Sequence, residues 1–66
     1  MDNPFVICRI RAGLRQEDVA ALLGINRAAI ASWETGRSLP MARLLPTLAR
    51  IYNCSIDDLM TDAVQE

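Results

Sequence analysis

The sequence predicts an all-α fold, a compact bundle of five short helices. Apolar residues recur at spacings of three and four, no stretch alternates apolar and polar residues for long, and β-branched residues are scattered. The chain has 66 residues, which is enough for one domain, because typical domains hold roughly 100–200 residues. A chain this short buries only about 60% of its unfolded surface, so each core residue matters.

The first helix is predicted over residues 5–12. Pro4 precedes it, and the fixed φ of proline suits an opening turn. Phe5, Cys8 and Ala12 fall on one face by their three- and four-residue spacing. Gly13 is expected to end the helix in the left-handed conformation.

The second helix is predicted over residues 16–23. Glu17 and Asp18 lie in its first turn, where carboxylates interact favourably with the helix dipole. Its apolar stripe is expected to comprise Val19, Leu22 and Leu23. Gly24 ends this helix, because glycine adopts the turn conformation without steric cost.

The third helix is predicted over residues 27–35, with Asn26 as a favourable N-cap. Ile30 and Trp33 are expected to point inward, and Gly36 closes the helix. Trp33 is thus expected to fill the core rather than to form an exposed stacking surface. Phe5 and Tyr52 are assigned to the core in the same way.

A loop over residues 37–43 leads to the fourth helix, predicted over residues 44–52. Its start is placed just before Pro46, because a proline farther inside would remove a hydrogen bond. Ser55 is expected to cap a fifth helix over residues 56–60, with Asp57 and Asp58 in its first turn. Residues 1–60 would form the domain, and residues 61–66 a disordered acidic tail.

The composition excludes several function classes. The chain has no histidine, and Cys8 and Cys54 lack C-x-x-C spacing, so we expect no metal and no cofactor. A Cys8–Cys54 disulfide stays open, but free thiols are favoured. No signal peptide or membrane-spanning stretch is evident, which predicts a cytoplasmic protein. No nucleophile–base pair or phosphate loop can be assembled, so we expect no enzymatic activity.

The net charge of −1 is distributed unevenly. Residues 1–50 carry all seven arginines against four acidic residues, a net charge of +3. Residues 51–66 carry four acidic residues and no basic one, a net charge of −4. A basic body with an acidic end is compatible with one surface that faces phosphates.

The most informative segment is QEDVAALLGINRAAIASWET, residues 16–35. Two helices joined by a tight turn must bury a shared apolar wedge. Residues spaced to fill this wedge from both helices are Val19, Leu23, Ile25, Ile30 and Trp33. Ala20 lies where the helices approach most closely, and a larger side chain there would push them apart.

This pattern resembles the helix-turn-helix of the Cro and phage-repressor family, also called the XRE type, whose fold is lambda-repressor-like. The resemblance covers about residues 5–60. It includes R-x-x-x-G-L-x-Q at residues 9–16, W-E-x-G-R at residues 33–37, the following proline, and S-I-D-D-L at residues 55–59. If it holds, the third helix enters the major groove of DNA and the second crosses the backbone.

The resemblance also implies roles for individual residues. Three match base-contacting positions: Arg27, Ala28 and Ser32. Four are expected to contact the DNA backbone: Gln16, Thr35, Arg37 and Arg43, the last with a minor-groove contact as an alternative. The Arg27 guanidinium can bind O6 and N7 of guanine together, whereas Ala28 can only touch a thymine methyl. Because the third helix would then carry few polar side chains for base contacts, DNA shape would supply part of the specificity.

Other residues are assigned structural roles by the same resemblance. Arg9 and Glu34 match an ion pair that joins the first and third helices. Arg15 stands where a Ser or Thr usually caps the second helix, which leaves the first amides of that helix without a side-chain cap. Dimer contacts are expected from three residues of the fifth helix: Ile56, Leu59 and Met60.

The functional hypothesis is a sequence-specific regulator that binds double-stranded DNA as a homodimer on a palindromic operator and represses transcription. The alternative is a protein-interaction module or an antitoxin that keeps the fold with weak or lost DNA binding. The acidic pI of about 5.2 and the alanine-rich third helix favour the alternative.

Overall fold

The computed structural model describes residues 3–60, and within that range all regular structure is helical, as predicted. The helices are α1 (Pro4–Arg11), α2 (Gln16–Leu23), α3 (Arg27–Glu34), α4 (Leu45–Ile51) and α5 (Ile56–Met60). A 3-10 turn, Ala42–Leu44, leads into α4. The proposed tail at residues 61–66 lies outside the described residues.

Asn3 sets the start of α1 one residue earlier than predicted. Its side-chain oxygen accepts a hydrogen bond from the Phe5 N–H at 2.7 Å, so Pro4 becomes the first helical residue. The Asn3 amide nitrogen also donates to the Trp33 carbonyl at 3.0 Å. One side chain therefore caps α1 and ties it to the C-terminal end of α3.

The turn between α2 and α3 forms as the sequence predicts. Gly24 has a φ of 71°, and the Ile25 N–H donates to the Ala20 carbonyl at 3.1 Å, which closes α2. Asn26 then caps α3 by accepting from the Ala29 N–H at 3.1 Å. Because both caps are made by neighbouring residues, α2 ends and α3 begins at the predicted residues. The far end of α3 lies one residue earlier than predicted, at Glu34.

The caps of the last two helices are also local. Pro46 lies in the first turn of α4, where its missing N–H removes no helical bond, so α4 begins within one residue of the prediction. The Ser55 hydroxyl accepts from the Asp58 N–H, and the Asp58 carboxylate accepts from the Ser55 N–H, each at 3.0 Å. This backbone hydrogen bond to the carboxylate holds the pKa of Asp58 below its usual value. The predicted bounds of α5 are confirmed.

The core is shared by all five helices and comprises Phe5, Cys8, Val19, Ala20, Ile30, Trp33, Leu48, Ala49, Tyr52 and Leu59. The Phe5 and Trp33 rings meet in a tilted arrangement with centroids 6.5 Å apart. The three aromatic residues therefore serve the core, as expected. None of the helices within residues 3–60 has the length and apolar character needed to cross a bilayer.

Two predictions about side-chain direction are wrong. Leu22 was expected in the apolar stripe of α2, but it is 63% exposed. The buried face of α2 is centred between Val19 and Ala20, and Leu22 lies roughly 110° from that centre at about 100° per residue. Leu59 was expected to contact a dimer partner, but it is 1% exposed and belongs to the core, because α5 packs on α1 and α4 through this side chain.

The two cysteines are free thiols, with Cys8 buried and Cys54 half-buried against the core. Burial, together with a hydrogen bond to Cys8, raises the pKa of the Cys54 thiol to about 12. Since the thiolate is the reactive form of cysteine, this environment disfavours reaction of Cys54 at neutral pH.

The hydroxyl of Tyr52 is buried without a hydrogen-bond partner among the described residues. Burial raises the pKa of this hydroxyl from 10.0 to about 12, and the charge of Glu34 adds to the effect. An unsatisfied buried hydroxyl costs about 1–3 kcal/mol of desolvation free energy.

We therefore expect Tyr52→Phe to raise the free energy of unfolding at pH 7 by about 1 kcal/mol, measured by urea denaturation. Because the folded-state pKa lies above the unfolded one, ionisation of Tyr52 does not affect the stability of the wild type below pH 10. As the pH rises toward 12, the unfolded chain ionises first and the wild type loses stability, so the advantage of Tyr52→Phe should grow by up to about 2–3 kcal/mol. A variant less stable than the wild type at pH 7 would show that the hydroxyl is bonded.

Candidate nucleic-acid interface

The exposed side of α3 forms an open groove of about 350 Å³. We call it the α3 groove, and its lining residues are Arg27, Ala28, Ala31, Ser32, Thr35 and Arg37. Five of these six match positions that the sequence assigned to DNA contacts. The structure thus brings the three expected base-contacting residues and two of the four expected backbone-contacting residues onto one surface.

The lining follows from helical spacing and from the turn after α3. Four positions from Ala28 to Thr35 recur at intervals of three and four, so they share one helix face. Gly36 has a φ of 81°, and the Arg37 N–H donates to the Ser32 carbonyl at 3.0 Å. This turn folds Arg37 back beside α3, where its guanidinium extends the groove.

Two expected DNA-contacting residues lie outside the lining of the groove. Arg43 is exposed in the 3-10 turn before α4. Gln16 is half-buried at the start of α2, next to Arg27. Ala31 was missed by sequence analysis, although its spacing of four from Arg27 could have identified it.

Arg9 and Glu34 form the predicted ion pair between α1 and α3. The Arg9 guanidinium donates from Nε to Glu34 Oε2 at 2.6 Å and from Nη2 to Oε1 at 3.0 Å. A third bond runs from Nη1 to the Leu14 carbonyl at 2.9 Å. The side chains of Arg9 and Glu34 are only 15% and 5% exposed. The hydrogen bond to Glu34 raises the pKa of Arg9 above its usual value.

Gln16 connects this ion pair to the α3 groove. Its amide nitrogen donates to Glu34 Oε1 at 2.8 Å, and its amide oxygen accepts from Arg27 Nη1 at 2.9 Å. Because the nitrogen is bonded to a carboxylate, the oxygen must face Arg27. A continuous set of hydrogen bonds therefore joins Arg9, Glu34, Gln16 and Arg27, which we call the Arg9–Arg27 network.

The network changes what Gln16 can contribute to DNA binding. Its side chain was expected to contact the DNA backbone, but both ends of the amide are bonded within the protein. The amide nitrogen keeps a second N–H for a phosphate, and the bonds to Glu34 and Arg27 fix the direction in which that N–H points. Arg27, in contrast, has five N–H donors and uses one on Gln16, so most of its donors face the solvent.

Arg15 does not cap α2 with its side chain, as expected from a group that has only donors. Instead the Asp18 carboxylate accepts from the Arg15 backbone N–H at 2.9 Å. The Arg15 guanidinium also lies 3.3 Å from Asp18, and this contact lowers the pKa of the Asp18 carboxyl. The Asp18 side chain therefore caps the start of α2, a contact that sequence analysis missed.

The two-helix geometry and the exposed α3 groove define a helix-turn-helix domain. The helix-turn-helix family matches residues 7–59 of the chain. The chain therefore belongs to this family, in its XRE type, which comprises DNA-binding proteins.

Two relatives show similarity over most of the chain. One is an uncharacterized HTH-type transcriptional regulator of Archaeoglobus fulgidus, 37% identical over 51 residues, a match that covers 77% of the chain and 73% of the relative. The other is the HTH-type transcriptional activator BcrR of Enterococcus faecalis, 33% identical over 55 residues, which covers 80% of the chain but 27% of that protein. The chain thus spans about a quarter of the activator's length. No solved structure is significantly similar to the chain.

We expect Glu34→Gln to lower the free energy of unfolding by about 3 kcal/mol, because it leaves the largely buried Arg9 charge without its partner. Urea denaturation measures this change. Glu17→Gln is the matched control: Glu17 lies 3.7 Å from Arg15, but both side chains are more than half exposed, so the loss should stay below about 1 kcal/mol. Equal losses in the two variants would contradict a special role for the buried pair.

Proposed function

We propose that the chain is a transcriptional regulator that reads a specific sequence of double-stranded DNA with α3 in the major groove. The observation that carries this proposal is the α3 groove, which gathers Arg27, Ser32, Thr35 and Arg37 on one exposed surface. A helix inserted in the major groove contacts base edges with its leading residues. Arg27 is the first residue of α3 and is held there by Gln16.

The two groove arginines have different proposed tasks. Arg27 presents a planar set of donors that matches O6 and N7 of guanine, a contact worth about 1–3 kcal/mol of discrimination. Arg37 lies in the turn beyond α3, where it would contact a phosphate and position the domain without reading bases. Its backbone N–H is already bonded to Ser32, so the turn is preformed.

We place the dimer contact on the exposed face of α5. Ile56 and Met60 are four residues apart, share that face, and are 40% and 37% exposed. Two copies joined there would present two α3 helices to one face of the duplex. Half-sites about 34 Å apart, one turn of DNA, would then form a palindromic operator.

Repression is the proposed outcome of binding, because occupancy of an operator is sufficient to block transcription. The Enterococcus faecalis relative is named as an activator. A reporter gene placed behind the operator therefore tests whether this protein represses or activates transcription. A fall in reporter expression on induction of this protein supports repression, and a rise supports activation.

The alternative function, a protein-interaction module or antitoxin, draws on one feature of the α3 groove. Two of the six lining residues are alanines, which supply no hydrogen bonds to bases. A partner protein would bind this surface without the steep salt dependence that phosphate contacts cause. Absence of salt-dependent binding to any duplex would favour this alternative.

Selection from a randomised duplex pool, followed by salt titration of the selected operator, tests the proposal. We expect Arg27→Ala to relax preference at one base pair per half-site, losing about 10- to 100-fold discrimination. Arg37→Ala should weaken all sequences alike and reduce the salt slope by about one phosphate contact per half-site. Arg50→Ala is the charge-matched control, since Arg50 is exposed on α4 outside the groove. Equal effects of all three variants would contradict the assignment.

The dimer contact predicts that Ile56→Asp weakens binding to the full operator at least tenfold while leaving affinity for an isolated half-site unchanged. Sedimentation of the protein–operator complex should show one copy per duplex instead of two. Ile10→Asp is the control, because Ile10 is an exposed apolar residue of α1. Loss of binding in the control alone would move the interface to α1.

A further inference from the structure

The hydroxyls of Ser32 and Ser38 meet at the edge of the α3 groove. Their oxygens are 2.7 Å apart, a short hydrogen bond in which either can be the donor. Ser32 lies on α3 and lines the groove, whereas Ser38 belongs to the loop after α3. Sequence analysis gave Ser38 no role, because six residues of separation across a turn predict no contact.

The backbone of the turn holds Ser38 in this position. The Ser32 carbonyl accepts from the N–H groups of Arg37 at 3.0 Å and Ser38 at 3.4 Å. The Thr35 hydroxyl also donates to this carbonyl, at 3.2 Å. Since Gly36 supplies the positive φ that this turn requires, its geometry does not depend on the Ser38 side chain.

The contact restricts where the Ser32 hydroxyl can point, and the choice of donor sets the direction of its proton. A serine within a helix commonly donates to the carbonyl four residues earlier, which turns its proton away from any ligand. Here the Ser32 oxygen is bonded to Ser38 instead, away from its own helix. When Ser38 donates to Ser32, the Ser32 proton is free for an acceptor on a base edge, and the first bond strengthens the second.

We propose that Ser38 is a specificity-determining residue of the DNA interface that acts by orienting the Ser32 hydroxyl toward a base edge. The proposal rests on the DNA-binding function proposed above. Ser32 is well placed for such a task, because the neighbouring lining residues Ala28 and Ala31 offer no hydrogen bonds. One oriented hydroxyl therefore carries a large share of the hydrogen bonding that α3 can offer after Arg27. Ser38 is a positioning residue in this scheme, and Ser32 makes the contact.

The test uses the operator selected by the full chain from a randomised duplex pool. Affinity is measured for all four base pairs at each operator position, with the wild type, Ser32→Ala, Ser38→Ala and the double variant. We expect Ser32→Ala to abolish a preference of about three- to tenfold at one position per half-site. Ser38→Ala should reduce the same preference at the same position, and the double variant should be no worse than Ser32→Ala.

Two further variants separate positioning from other roles. Ser38→Thr keeps a hydroxyl and should restore the base preference. Arg37→Ala removes a different polar group from the same groove, and we expect it to weaken all operators alike, because Arg37 is assigned to a phosphate. Thermal unfolding of Ser38→Ala should match the wild type, since the turn is held by backbone bonds.

The outcomes distinguish the failure of each proposal. If Ser38→Ala weakens all base pairs equally, or if its effect persists unchanged in the Ser32→Ala background, the positioning role is overturned while DNA binding stands. If Ser32→Ala alters no base preference, the inference is overturned in the same way. If the wild type selects no sequence from the pool, the proposed function fails and the inference fails with it.

Discussion

The Arg9–Glu34 ion pair is the constraint on which the geometry of the domain depends. It joins α1 to α3, and through Gln16 it also joins the start of α2 to the leading residue of α3. A buried ion pair adds little net stability compared with an apolar contact, because both charges lose their hydration. Its satisfied hydrogen bonds instead favour one arrangement of the three helices, which is the arrangement that exposes Arg27.

Two of the four polar side chains that line the α3 groove are held by another part of the protein. Arg27 is held by Gln16 from α2, and Ser32 by Ser38 from the loop after α3. Side chains ordered before DNA arrives lose less conformational entropy on binding. This preorganisation supports the proposed reading of a specific DNA sequence by a surface with only four polar side chains.

Helix bounds were predictable from the sequence to within one residue, because most caps are local. Gly24 and Asn26 define the α2–α3 turn, and Ser55 with Asp58 defines the start of α5, each through contacts within a few residues. The side-chain cap of Asn3 was not recognised, which shifted the predicted start of α1 by one residue. Leu22 was misassigned because its spacing from Val19 fits a stripe, while the true buried face of α2 lies on the side of Ala20.

By itself the sequence determined the family and the five helices, because motifs and helical periodicity carry that information. The resemblance to the family supplied the Arg9–Glu34 pair and five of the six positions that line the α3 groove. Only the tertiary structure decided that Leu59 is buried, that the Gln16 amide is bonded at both ends, and that Ser38 reaches Ser32. The physical reason is that hydrogen bonds and burial between separate elements depend on how helices pack. A sequence pattern places each residue on its own helix but does not fix these distances between elements.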